Sequence, residues 1–357
     1  MTLTHCWSAS ALGVGNEETL ANHARGTAPG MRETEGDIPG RRIYFGSVPG
    51  ELPEIAEPAW NMRANRLLKL AVGHMPELHD LVARYGADRV GIVLGASNTG
   101  IDEAENRVDA VLDTAGRLGA DYFPLIELGT PALYLKNVLD VRGPAYTVST
   151  ACSSAAKALG AARRLIACGV CDAVVTGGVD GRCRFAMNGF HALGALSAGR
   201  CRPLAADRDG INLGEAVAVF TLERAGDGVR LGGIGETSDA YHATAPDPEG
   251  SGAEAAMRAA LSDAGLAPSD VDYVNLHGTG TQANDAMEMK ALERVFGGAS
   301  GLPRHESTKA LTGHCLGAAG AIEAALCWQL LSAGTCKVAL SNSFAFGGSN
   351  ASVVFTR

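Results

Sequence analysis

Short runs that are apolar at nearly every position alternate along this chain with alanine-rich runs of helical period, and glycine-rich connections join them. A strand with no polar face has to be covered on both sides, which requires helices above and below its sheet. The pattern therefore points to an α/β fold, layered around a mostly buried sheet. VGIVL at 90–94 reads as one such strand and ends in the loop GASNTG, while AYTVS at 145–149 reads as another. Residues 153–167 read as a helix with Ala155, Ala156, Leu159, Ala162 and Ile166 at helical spacing. Gly169 caps it, and DAVVTGG returns as a strand. The second half repeats the grammar: GAEAAMRAALSDAGL is an amphipathic helix closing at Gly265, its alanine side inward, and VDYVNLHGTGT is a strand running into a glycine-threonine loop. Two similar halves are expected, 1–225 and 226–357, divided just after the apolar strand AVAVFTLER.

At 357 residues and 46% hydrophobic content the chain can bury a large core. A formal net charge of −9 opposes non-specific nucleic-acid binding, which needs a broad basic surface, so an acidic partner must meet a local basic patch. Nine cysteines, an odd number scattered through apolar segments, fit reduced thiols. The start MTLTHCWSASALG lacks a basic region followed by an unbroken apolar stretch, and no window approaches the ~18 apolar residues of a membrane span. The expectation is a cytoplasmic enzyme.

Cys152 stands in VSTACSSAAKAL, between a strand and a helix. A thiol at a helix N-terminus feels the positive end of the macrodipole and the free backbone N–H groups, which favour a thiolate. Ser153, Ser154 and Ala155 are small, so a long acyl thioester is expected to approach the sulfur past them. Taken alone, such a cysteine is more often a small buried hydrophobe. His277 in NLHGTGTQAND and His314 in STKALTGHCLGAAGAIE lie beside glycines that let backbone approach a ligand. Either histidine alone is more often a satisfied structural group. His5, His23, His74 and His79 lie in helical or terminal stretches, and His191, His242 and His305 in expected loops. Glu323 falls in the apolar helix AGAIEAALCWQLL, where a carboxylate is costly unless paired, and Lys309 is the nearest candidate partner. Cys168 and Cys171 have the spacing of a redox or zinc motif but no second pair, so both are expected to be core thiols and no metal site is expected. GGIGETS lacks the setting and downstream acid of a dinucleotide fingerprint.

Taken together, TACSS, HGTGT followed by Asp285, STKALTGH followed by GAAGAIE, and NSFAFGGSN resemble the β-ketoacyl-acyl-carrier-protein synthases of the Cys-His-His type. With ALGVG near the start and RDGINLGEA at 208–216, the resemblance runs in order along nearly the whole chain. It implies a thiolase-like fold, a five-layer αβαβα sandwich of two βαβαβαββ halves related by a pseudo-twofold, usually dimeric. It implies that Cys152 takes the acyl group, that His277 and His314 promote malonyl decarboxylation, and that the N–H groups of Cys152 and Phe346 form an oxyanion hole. Lys309 and Glu323 would be the supporting charged pair and Asp285 a buried acid beyond the first histidine. Thr279 and Thr281 would hold phosphopantetheine, Phe344 and Phe346 would belong to a gating loop, and Phe190 would line the acyl pocket. No separate cofactor is implied, since substrates arrive on the phosphopantetheine of an acyl carrier protein.

That carrier is the implied partner, beside a homodimeric mate or a chain-length-factor-like homologue. In NMRANRLLKLAVG, Arg63, Arg66 and Lys69 recur every third residue where the family docks its carrier, although a merely solvated helix face fits as well. RDGINLGEA, ETSDAYHATAPDPEG and SFAFGG resemble the subgroup that builds aryl polyenes. A non-catalytic chain-length factor usually lacks the cysteine present here; a thiolase differs in its histidine motifs, and a nicotinamide oxidoreductase needs a phosphate loop. After Ser332 only 333–335 precede CKVALSNSF, shorter than the family's usual connection, which puts the strand count at that edge in question.

Overall fold

The computed structural model describes residues 1–113 and 122–357. Five strands of the first half, Thr2–Ser10, Val90–Gly95, Ala145–Val148, Ala173–Asp180 and Ala216–Glu223, lie side by side in the order third, second, fourth, fifth, first. In the second half Val229–Ser238, Tyr273–Asn275, Arg304–Glu306, Val338–Ala345 and Ser349–Thr356 repeat that order. The senses repeat too: the second strand is parallel to the third and fourth, and the fifth is antiparallel to the fourth and first. The two first strands pair only at Thr2↔Arg230 and Leu3↔Val229, so the sheets are joined at one corner. The short connection after Ser332 removes no strand, since the second half carries the same five as the first.

Between the third and fourth strands of each half runs a long helix, Ser154–Ala167 and Ala319–Ser332, and the two pack against each other between the sheets. Ala319–Ser332 is apolar all round and buried at nearly every position, as a helix in a central layer must be. Arg63–His74 covers the outer face of the first sheet and Ser251–Ala264 that of the second, which gives the thiolase-like αβαβα stack.

Close approach in the central layer depends on small residues. A Cβ on Gly95 would stand 2.3 Å from the Ala155 nitrogen, so the helix after Cys152 lies directly on strand backbone. Ser153, Ser154 and Ala155 are each 0% exposed. This corrects the expectation that they clear a path for a thioester: their smallness lets the helix dock on its strand. Other local expectations shift as well. Cys168 is exposed while Cys171 is buried, and His191 and His305 lie in a helix and a strand, not in loops.

Candidate active site

The turn before the central helix sets the position of Cys152. Ala151 holds φ at +51°, a left-handed conformation that costs a non-glycine residue about 1–2 kcal/mol. Ser154 sustains it from both sides, accepting from the Thr150 N–H at 2.9 Å and donating to the Ala151 carbonyl at 2.5 Å. Cys152 thus sits just ahead of the helix Ser154–Ala167, only 6% exposed.

His277 follows the strand Tyr273–Asn275, and the buried carboxylate of Glu288 fixes its backbone by accepting from the N–H groups of His277 at 2.9 Å and Gly278 at 2.7 Å. His314 follows the short helix Lys309–Thr312, and its N–H donates to the Asn212 carbonyl at 2.7 Å. The two imidazoles meet edge to face with centroids 5.3 Å apart, and His314 Nε2 lies 2.9 Å from Cys152 Sγ. One ligand-type atom from each of Cys152, His277 and His314 lies within 4.8 Å of the others, so the three side chains converge on one point.

Burial sets the protonation of this centre. It pushes the Cys152 thiol up to about 12, opposed by the Lys309 charge and by the Phe346 N–H. Burial, and then the Lys309 charge, hold both histidines well below the ordinary imidazole range. At neutral pH the rings are therefore uncharged and the thiol keeps its proton. The Lys309 ammonium meets the Glu323 carboxylate behind His314, both 1% exposed. Burial pushes Glu323 up to about 7 against the pull of that ammonium.

The centre opens into a cleft of about 910 Å³, solvent at its mouth included, lined by Cys152, both histidines, Thr279, Thr281, Phe190, Phe344 and Phe346 among others. Lys309, Glu323 and Asp285 do not line it. Asp285 is 1% exposed and accepts from the Gly280 N–H at 3.1 Å and the Leu204 N–H at 2.8 Å, with Arg208 at 3.4 Å, so it shapes the threonine loop from beneath. Thr279 and Thr281 hydroxyls lie 3.0 Å apart. At the mouth the Phe190 and Phe346 rings meet at a tilt of 37°, with centroids 5.6 Å apart. Gly347 and Gly348 follow with φ of +79° and +72°, a backbone path that favours glycine.

Three acids escaped the sequence reading. Glu288 stands three residues after Asp285 on the same helix, and that spacing on a buried face was its only signal; burial pushes it up to about 7. Asp180 accepts from the Ser97, Asn98 and Gly317 N–H groups at 3.0, 2.8 and 2.7 Å, tying the loop after Val90–Gly95 to the segment after His314. Glu215 accepts from the Val48 N–H and the Arg63 guanidinium, and is 0% exposed.

Glu215 also corrects the basic stripe. Arg63 turns into the protein to meet it, because each three-residue step rotates the helix face by about 60° and separates Arg63 from Lys69 by about 120°. Arg66 reaches the Leu52 carbonyl at 2.8 Å and Glu54 at 3.0 Å, and Lys69 the Glu54 carbonyl at 2.5 Å.

Two family models divide most of the chain: the β-ketoacyl synthase N-terminal domain matches residues 80–228 and the β-ketoacyl synthase C-terminal domain residues 229–341. Nodulation protein E of Rhizobium sp. (strain N33) is 36% identical over 306 residues, covering 75% of this chain and 76% of that protein. 3-Oxoacyl-[acyl-carrier-protein] synthase 2 of Staphylococcus aureus (strain COL) is 34% identical over 315 residues, 76% of each. Among solved structures, the ketosynthase ApeO in complex with its chain length factor ApeC from Xenorhabdus doucetiae provides a chain 38% identical, with TM-score 0.94 over 99% of this chain and 97% of that one. With both domain models matched in order and a cysteine and two histidines converging at their junction, the chain belongs to the β-ketoacyl synthase family.

Proposed function

We propose that this protein is a β-ketoacyl-acyl-carrier-protein synthase, an acyltransferase that joins an acyl thioester to malonyl-acyl-carrier protein with loss of carbon dioxide. The observation that carries this reading is the 2.9 Å contact between Cys152 Sγ and His314 Nε2 inside a cleft that His277 also lines. Thiol and imidazole are both neutral at rest, so the proton leaves Sγ as the new S–C bond forms, and Nε2 is the atom placed to take it. The carrier's pantetheine thiol departs with a proton, leaving the acyl group on Cys152. The thioester oxygen develops negative charge in that step, and the N–H groups of Cys152 and Phe346 face the place where it forms.

Malonyl thioester then enters past Thr279 and Thr281. As its C–CO₂ bond breaks, the electron pair moves to the α-carbon, and the enolate oxygen is stabilised by a hydrogen bond from His277 and, once the His314 proton has shifted from Nδ1 to Nε2, by one from His314. The α-carbon attacks the acyl carbonyl and the Cys152 thiolate leaves, giving β-ketoacyl-carrier protein and carbon dioxide. Neutral rings suit this work, since a neutral donor stabilises the enolate without protonating it outright. Lys309, paired with Glu323, and Asp285 support this machinery from behind. The substrates bring phosphopantetheine with them, and no further cofactor enters the scheme.

The partners in this reading are the acyl carrier protein, which meets Arg66 and Lys69 without Arg63, and a second synthase-like chain. Ala145–Val148 ends its sheet as an edge strand with Tyr146 38% exposed, and Phe123, Ile126, Leu133 and Val138 are exposed nearby in sequence, a face suited to a mate. The likeness to ApeO with its chain length factor supports a heterodimer with such a homologue and extension of an aryl-primed polyene chain, in the cytoplasm. The halves divide at 225/226. A chain-length-factor role for this chain itself is disfavoured by the retained cysteine.

Intact-mass spectrometry after incubation with a panel of acyl-carrier-protein thioesters tests the reading. An acyl increment on the wild type that vanishes in Cys152→Ala is expected. A folded protein that gains no mass from any acyl carrier is not a ketosynthase.

A further inference from the structure

One half-buried lysine beside the nucleophile has no part in the scheme above. Lys157 lies on the helix that starts after Cys152, and its Nζ donates to Ser349 Oγ at 2.7 Å. Ser349 Oγ is 2.9 Å from Ser153 Oγ, which is 2.9 Å from the Thr150 carbonyl. An ammonium has donors only and a carbonyl oxygen only accepts, so the two ends together set the direction of the chain. Ser349 accepts from Lys157 and must give its own proton to Ser153, and Ser153 in turn donates to the Thr150 oxygen. Among the described residues Lys157 makes no ion pair; the carboxylate of Glu236 is taken up by Arg164 at 2.8 Å. Holding a lysine partly out of water against a hydroxyl instead of a carboxylate is a costly arrangement for a residue that only fills space.

The two ends of this chain explain it. Thr150 and Ser153 bracket Cys152, and Ser349 is the first residue after Gly347 and Gly348, whose positive φ values leave the loop wide backbone latitude. On its far side that loop is held by the Asp239 N–H donating to Gly348 at 2.9 Å and the Gly347 N–H donating to Ala243 at 2.8 Å. On the nucleophile's side Ser349 pairs with Ala345 and Ser238 in the sheet, and the relay from Lys157 adds the side-chain tie to the Cys152 turn; the N–H it steadies is that of Phe346, which already faces Cys152 Sγ. We infer that Lys157 is a positioning residue: through Ser349 and Ser153 it fastens the loop bearing the Phe346 N–H to the turn bearing Cys152. The inference rests on the ketosynthase reading, because it is the acylation oxyanion that this N–H would meet.

The test compares two reactions of Cys152 in the full-length protein. Acylation by an acyl-carrier-protein thioester needs the oxyanion donor; alkylation by iodoacetamide does not. Lys157→Met keeps the aliphatic stem and removes the donors, and Ser349→Ala removes the middle of the relay. Each should slow acylation about tenfold, less than the loss of an oxyanion donor outright, while alkylation stays within about twofold. The double variant should be no slower than the slower single, since both act on one chain, and Lys157→Arg should retain most of the rate. Acylation of Lys157→Met at the wild-type rate overturns the inference alone. Acylation and alkylation falling together would show a damaged helix and overturn it too. A wild type that takes no acyl group overturns the ketosynthase reading, and this inference with it.

Discussion

Glu323→Gln keeps the volume of the side chain and removes its charge, leaving the Lys309 ammonium alone in an interior where both partners are 1% exposed. Removing one partner of a buried pair costs about 3–5 kcal/mol, because the survivor has lost water and counter-charge together. A second route bounds the loss: an ordinary lysine gives up its proton at neutral pH for about 4–5 kcal/mol, so the penalty cannot exceed that by much. With an unfolding entropy of about 2.1 cal/mol/K per residue, a chain of this length should melt about 4–7 °C lower. Either route also alters the cation that opposes burial at Cys152 and lowers both histidines. If Lys309 discharges, the Cys152 thiol rises further, and iodoacetamide alkylation at neutral pH slows. Replacing both partners, Lys309→Met with Glu323→Leu, should restore most of the melting temperature, since neither charge is then buried, while alkylation stays slow. Scanning calorimetry and the alkylation rate against pH check this. A melting temperature of Glu323→Gln within about 1 °C of wild type, with unchanged alkylation, would refute the argument that the pair is held by burial.

Other perturbations separate packing from charge. Gly95→Ala forces a Cβ toward the Ala155 nitrogen at 2.3 Å, so the helix after Cys152 must shift; a loss of about 1–3 kcal/mol in chemical denaturation, accompanied by slower Cys152 alkylation, is expected. Arg63→Met strands the fully buried Glu215 and should cost more than 2 kcal/mol (about 2–4), whereas Lys69→Ala should leave stability within about 0.5 kcal/mol and weaken only carrier binding, as read by titration of both variants. His23 at 3.2 Å holds the Glu306 carboxyl at about 2 from an ordinary 4.5. A depressed carboxylate stabilises the fold above its unfolded value and loses that contribution as pH falls from about 4.5 toward about 2, so His23→Gln should flatten the melting-temperature profile across that window.

What could be read in the sequence divides by range. The strand and helix runs were legible because apolar periodicity is local, and the repeat was legible because the same runs recur. The order third, second, fourth, fifth, first was not, since its pairings join segments far apart in the chain, the hairpin of Val338–Ala345 with Ser349–Thr356 excepted. The cleft gathers Cys152, His277 and His314 because each carries a local mark, a helix start or a flanking glycine, which motifs preserve. Glu323 could be matched to Lys309 because a carboxylate in an apolar helix demands a cation and few were near. The same logic failed at Arg63, whose partner Glu215 lies 152 residues on and sits in no apolar helix to betray it. It failed differently at Ser153, Ser154 and Ala155. Small residues beside a nucleophile suit an open approach or a tight helix-to-strand contact equally well, and only the position of Gly95 beneath them decides. Once the contact is seen, the serines acquire another use: buried and small, they can turn their hydroxyls back toward the chain, Ser154 to hold the Ala151 turn and Ser153 to receive the relay from Lys157. Residue size admitted the helix, and hydroxyl chemistry then tied the turn that carries Cys152 to the loop that faces it.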